Sequence, residues 1–215
     1  TVPAGYDAYE KAYMGWLKPI TLADEAVEVK NMKGLAEGGD AYLLYNPDTK
    51  NEYYILENRT PHRWDTELPG HGLMVFHVDF DAKSWRMNNL NAASAQRHPR
   101  FTIVPADARL DHDTQNNDPF PANMSNSLTK STDPGLSFYT NYNVSPQAGV
   151  KQIVRNNDNT ISFSYTPLQT SAGINTLSAD REQPVETYTL SGVKVADTQN
   201  IHNQIVIVKG KKVRK

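Results

Sequence analysis

The chain has 215 residues, enough for one or two domains with a real core, and 22 Lys and Arg against 24 Asp and Glu leave a net charge of −2. That balance, with no basic tract, excludes a nucleic-acid or anionic-membrane footprint, and no apolar run approaches the roughly 20 residues of a spanning helix. Cysteine is absent, which excludes disulfides, thiolate nucleophiles and Cys-based zinc sites, while 11 Tyr, 13 Pro and 12 Gly favour a β-rich, turn-rich fold.

The first element expected is a helix. In YDAYEKAYMGWL the bulky residues Tyr6, Tyr9, Tyr13, Trp16 and Leu17 follow a 3.6-residue repeat. Asp7 sits in its first turn, and Pro19 stops it. This aromatic face should dock on something large. No signal-peptide pattern stands at Thr1, and a trimmed, mature chain reads the same way.

Strands follow. Ala26–Met32 alternates, with Val27 and Val29 on one face. Ala41–Tyr45 and Glu52–Arg59 flank NPDTKN, which predicts a β-hairpin with a six-residue turn. LPGHG turns sharply into a strand over Leu73–Phe80. DAKSWRMNNLNAAS suggests a short helix and a loop, and FTIVPAD (Phe101–Asp107) another strand. Asp111 to Asp133 is long, polar and irregular, the kind of segment that is functional, ion-bound or partly disordered. Strands resume at LSFYTNY, VKQIVR and TISFSY, the last two joined by the turn signal NNDN.

The texture changes after Pro167. A boundary is expected near Thr166–Thr176, dividing residues 1–167 from a linker and small C-terminal β module at 168–215. The fold class expected is mainly β, with sandwich-like antiparallel sheets and one N-terminal amphipathic helix.

The stretch Glu52–Asp81 plants ionisable residues inside strands that should be core. Buried charge is costly unless paired. Glu57 and Arg59 point to one face of their strand, and His77 and Asp79 share a face of theirs. The expectation is a structural polar network of Glu57, Arg59, His77 and Asp79. His62, His71 and His77, near Asp65, Asp79 and Asp81, are of the residue types that bind zinc, but no His-Glu-x-x-His is present. An imidazole–carboxylate hydrogen bond is the simpler reading of His77 and Asp79. Gly-x-Ser-x-Gly is absent, and Ser191 reads as a turn serine, so no Ser-His-Asp hydrolase is expected and no catalytic residue is assigned. Asp111, Asp113 and Asp118, with Asn116 and Asn117, pack oxygen ligands into one loop, which reads as a solvated acidic loop or as a calcium site, although the EF-hand spacing is absent. Trp64, Trp85 and the tyrosines could instead form a sugar-stacking platform.

Five segments occur in a recognisable order: PAGYDAYEKAYMGWLKP, NEYYILENR, LPGHGLMVFHVDFD, the Trp85…Asn88-Asn89 motif, and RFTIVPAD. From Val2 to Asp107 the chain resembles secreted bacterial zinc metalloproteases of the immune inhibitor A type. That family has an AYE…GWL helix after its zinc motif, then E-Y-[YF]-x-[LI]-E-N-R, PGxG…HVD and a closing [IV]-x-x-AD. Its HExxH helix, with two zinc ligands and the catalytic Glu, precedes the AYE…GWL helix. No such motif stands here, so zinc would belong to a parent enzyme, with ligands outside this chain. The resemblance implies the non-catalytic C-terminal portion of such a protease, secreted or on a bacterial cell surface. Its partners would be the N-terminal catalytic half and the parent's protein or peptide substrates. A glycan-binding or adhesive β-sandwich module is the alternative. The tail VETYTLSGVKV…NQIVIVKGKKV resembles C-terminal export and attachment modules of Gram-negative anaerobes, departing at NQIVIV.

Overall fold

The computed structural model describes residues 3–91, 98–122, 125–140 and 143–168, and beyond them the strand backbones at 187–189, 194–195, 205–208 and 211–214. The chain divides into two compact units, Thr1–Ser171 and Ala172–Lys215.

The first unit is mainly β. Its first sheet holds β1 (Ile20–Thr21), β3 (Ala41–Asn46), β4 (Thr49–Arg59), β5 (Gly72–Asp79) and β6 (Phe101–Ile103), in the order β1-β3-β4-β5-β6. β1 pairs in parallel with β3; the other pairs are antiparallel. The second sheet holds β2 (Val27–Met32), β7 (Leu128–Thr129), β8 (Gly149–Arg155) and β9 (Ile161–Thr166), in the order β2-β9-β8-β7.

The two sheets share one large core. Leu44, Tyr54, Leu56, Leu73 and Val75 of the first sheet meet Val29, Val150, Ile153, Ile161, Phe163 and Tyr165 of the second. The opposite face of the first sheet is covered too. There Leu43, Ile55 and Phe76 pack with Ala8 and Leu35. This double cover explains the sequence of β4 and β5. A sheet with one wet face alternates, whereas strands buried on both faces read as continuous apolar runs. The register sorts the residues: Tyr54 lies opposite His77 and Leu56 opposite Val75 on one face, Ile55 opposite Phe76 and Glu57 opposite Met74 on the other.

The helix α1 covers only Ala8–Tyr13, so the expected run to Leu17 is shortened. Asp7 is its N-cap rather than a first-turn residue, in a capping box: Glu10 N–H donates to Asp7 Oδ1 at 2.7 Å and Asp7 N–H to Glu10 Oε2 at 3.0 Å. Gly15, at φ +75°, ends it before Pro19 is reached. Gly15 N–H donates to Ala12 O and Trp16 N–H to Lys11 O, the pair of bonds of a Schellman stop. Trp16 and Leu17 therefore leave the helical repeat, and the expected single aromatic face splits. Tyr9 packs on Phe101 with ring centres 5.1 Å apart, while Tyr6, Tyr13 and Trp16 are 54%, 82% and 65% exposed. α2 is a short helix over Ala82–Arg86, capped by Asp81.

Three further expectations are corrected. The β3–β4 turn is not six residues long: Asn46 pairs with Thr49, leaving Pro47-Asp48 as the turn, and the register then shifts before Tyr45 pairs with Tyr53. Asn46 Oδ1 accepts from Asp48 N–H at 2.9 Å, which favours the tight turn. FTIVPAD is a strand only to Ile103, since Pro105 has no N–H to continue a ladder. LSFYTNY forms no strand over residues 136–140, because its backbone groups bond to side chains instead, as described below. The expected hairpin of VKQIVR and TISFSY is present as β8 and β9.

In the second unit, β10 (Thr187–Thr189), β11 (Lys194–Val195), β12 (Ile205–Val208) and β13 (Lys211–Arg214) form an antiparallel sheet in the order β11-β10-β12-β13. Ser191 and all but Leu168 of the linker expected over 168–184 lie outside the described residues. Among the described residues no helix is long and apolar enough to cross a membrane.

Candidate functional site

Successive residues of a strand face opposite ways, so β4 delivers its charges to both sides of the sheet. The four residues expected in one network belong to two. Glu57 and Arg59 lie on the α1 side; His77 and Asp79 lie toward the other.

On the α1 side, Glu57 is fully buried, and Asp65, from a 3-10 turn over Arg63–Asp65, is nearly so. Arg59 Nε donates to Glu57 Oε1 at 2.5 Å, and its Nη1 donates to Asp65 Oδ1 and Oδ2 at 2.9 and 3.0 Å and to the Gly5 carbonyl at 3.1 Å. The chain ahead of α1 is tied in as well. Gly5 N–H donates to Asp65 Oδ1 at 3.0 Å and Ala8 N–H to Glu57 Oε2 at 2.5 Å. Burial pushes the Glu57 carboxyl up to about 7, against the pull of Arg59. Burial also pulls on the Arg59 guanidinium, but Glu57 and Asp65 outweigh it and hold it above its ordinary value. Asn58, facing the other way, donates to the Met32 and Asn159 carbonyls at 2.9 Å each, so it stitches the two sheets together.

On the other face the centre is Glu52, fully buried. It accepts from His77 Nε2 at 3.0 Å, Tyr139 N–H at 2.6 Å, Thr140 N–H at 3.2 Å, Thr140 Oγ1 at 2.6 Å and Asn46 Nδ2 at 3.0 Å. Burial raises this carboxyl, but the bonds from His77, Thr140, Tyr139 and Asn46 outweigh it and hold it at about 2. Four rings stack beside it. Tyr54 and His77 lie 4.4 Å apart at 5°, His77 and Tyr139 4.7 Å at 16°, and Tyr139 and His98 3.7 Å at 22°. Tyr54 donates its hydroxyl to the Ser137 carbonyl and accepts from Ser137 N–H at 3.1 Å. Ser137, Tyr139 and Thr140 thus bond to Tyr54 and Glu52.

The stack runs from the core to the surface. At its outer end Asp79 Oδ2 bonds His98 Nε2 at 2.6 Å and accepts from Arg100 Nη1 at 2.8 Å. His98 is one-third exposed and lines a cavity of about 280 Å³ with Lys83, Ser84 and Arg100. This corner can hold a proton on an imidazole–carboxylate pair. Ser84 donates its hydroxyl to Asp81, the residue that caps α2, at 2.8 Å. Glu52, His98, Arg100 and Tyr139 were not singled out from the sequence. The one available signal was alternation, which puts Glu52 on the Tyr54 face of β4.

The other candidates are scattered. His62 contacts Arg63, His71 reaches the Asp65 carbonyl at 3.1 Å, and His77 is committed to Glu52. Among the described residues no three His, Asp or Glu side chains converge closely enough to hold a metal ion as they stand. Asp111 pairs with Arg109 at 2.7 Å, Asp113 stands in solvent beside His112, and Asp118 is buried. Trp85 packs against Tyr9 and Phe80 rather than forming a platform, while Trp64 is 58% exposed.

No family model, curated protein or solved structure matches the chain.

Proposed function

We propose that this chain is the C-terminal, non-catalytic portion of a secreted zinc metalloprotease of the immune inhibitor A type, and that it supports the catalytic half. The five ordered motifs suggest the family. The observation that carries the supporting role is the placement of exposed aromatics: Tyr6, Tyr13 and Trp16 lie in and around α1, with Trp64 in the turn that supplies Asp65. Exposed clusters of large apolar side chains mark partner surfaces. Glu57, Arg59 and Asp65 anchor the chain at Gly5 and Ala8, which gives that surface a rigid base. Peptide hydrolysis, zinc and the general-base Glu belong to the catalytic half in this reading, and secretion or surface attachment to the parent protein.

Two measurements test it. The isolated chain supplied with zinc is expected to leave casein intact; metal-dependent turnover would sink the reading. In the full-length product, Tyr13→Ser with Trp16→Ser is expected to lower casein hydrolysis roughly tenfold, the effect of losing aromatic anchors at an interface. The urea midpoint of the isolated chain should not move, because both rings are exposed in it. Unchanged hydrolysis would remove the docking role.

The same rings are the ground for the alternative, a glycan-binding or adhesive module. Tyr6 and Trp16 meet edge to face at 72°, which does not make the flat platform that sugar stacking uses.

A further inference from the structure

Five side-chain oxygens are buried without a hydrogen-bond partner among the described residues, and four of them lie in one loop: Asp107 Oδ2, Asp111 Oδ1, Thr114 Oγ1 and Asp118 Oδ1. Buried polar atoms are nearly always satisfied, and each exception calls for an explanation. Four exceptions in one loop, three of them on carboxylates, call for a common one.

The loop is closed on itself. Ala106 N–H donates to the Asp118 carbonyl at 2.9 Å, which sets Asp107 beside Asp118. Asp107 uses Oδ1 on Arg109 N–H at 3.0 Å, and Asp111 uses Oδ2 on Arg109 Nε at 2.9 Å. Each acid thereby keeps one oxygen engaged at the loop and leaves the other buried and free. Thr114 is close enough to influence the Asp111 carboxylate, yet its hydroxyl makes no well-formed bond. Asp118 is only 7% exposed. The carboxylates of Asp107 and Asp111 lie close enough for their charges to act on it. Asp118 therefore faces two like charges, and the nearby guanidinium of Arg109 is paired with Asp111.

We propose that Asp107, Asp111, Thr114 and Asp118 form a calcium site. The donors are all oxygens, which excludes ions that need nitrogen or sulfur. An irregular loop with backbone carbonyls to spare suits the six to eight flexible ligands of calcium better than the strict octahedron of magnesium. No three of these carboxylates converge as they stand, so binding at this site requires the loop to draw them together. Asp113 is not a ligand, since its side chain is 97% exposed. This inference does not depend on the protease reading.

The test titrates calcium alone into the whole chain at pH 7.5, after chelator treatment, by calorimetry and thermal unfolding. One site is expected, with the midpoint raised by roughly 5–10 °C at a concentration ~100-fold above Kd. Asp118→Asn and Asp107→Asn are each expected to weaken binding by at least ~tenfold, while Asp113→Asn keeps it within about twofold. In chelator, Asp118→Asn should unfold no lower than the natural chain, because it removes a buried, unpartnered charge; that shows the variant folds. Absence of binding overturns the site, as does binding that Asp118→Asn and Asp107→Asn both retain, or that Asp113→Asn loses. Asp118→Asn unfolding lower in chelator overturns it too, by revealing a protein partner for the carboxylate. An equal response to magnesium overturns the assignment of calcium.

Discussion

Arg59→Ala is expected to destabilise the 1–171 unit by about 3–5 kcal/mol, the usual penalty for breaking a buried ion pair from one side. The substitution removes the partner of two buried acids at once: Glu57 and Asp65 have side chains 0% and 1% exposed. It also removes the donor to the Gly5 carbonyl, so the strap that holds α1 loosens at both ends. Urea unfolding at pH 7, followed by tryptophan fluorescence, reads the effect as a lower midpoint at unchanged slope. A loss below about 1 kcal/mol would mean that water reaches the pair and that the network is decorative. Arg59→Lys should recover only part of the loss. An ammonium is a point charge, whereas Arg59 serves Glu57 through Nε and Asp65 through Nη1, as a planar fork allows.

Legibility in the sequence followed burial. β4 and β5 were readable because both of their faces are covered, which leaves unbroken apolar runs around Glu57 and His77. The β8–β9 hairpin was readable because its turn is local. Alternation correctly put Glu57 with Arg59, and His77 with Asp79, on shared faces. It could not say what each face would meet. The carboxylate that holds His77 is Glu52, and most of the donors that make Glu52 tolerable come from Tyr139 and Thr140, in a segment that reads as a strand. Once Tyr54 and Glu52 occupy those backbone groups, that segment has few left for a ladder. The helix failed for a different reason. Its apolar period continues through Trp16 and Leu17, but Gly15 adopts φ +75° and breaks the geometry that the period assumes. The acidic loop stands out in the sequence by its density of oxygens. Which oxygens are buried depends on the bond between Ala106 and Asp118, which no local pattern encodes.

Glu52→Gln is expected to cost about 3 kcal/mol at neutral pH and to remove most of the acid sensitivity of this unit between pH 2 and 4.5. The carboxylate is ringed by donors from His77, Tyr139, Thr140 and Asn46, and an amide would turn a donor of its own toward them. The pH dependence follows from the sign of the shift. The carboxyl titrates at about 2 when folded, against 4.5 unperturbed. A depressed folded value means stability that is complete above about 4.5 and lost as the pH falls toward 2, worth about 3 kcal/mol. Glu57, on the same strand but the opposite face, has the opposite sign. Its carboxyl is raised to about 7 by burial, so its charged form is a burden that grows as the pH climbs from about 4.5 through 7. The two glutamates therefore pull in opposite directions, Glu52 adding stability as the pH rises to about 4.5 and Glu57 subtracting it from there through 7. Thermal midpoints from pH 2 to 8 would show a rise and then a fall. Glu52→Gln should flatten the acid limb, and Glu57→Gln should lessen the fall toward neutral pH. An acid limb that survives Glu52→Gln would mean that another carboxylate carries it, and that the five bonds to Glu52 hold no more than a solvated acid would.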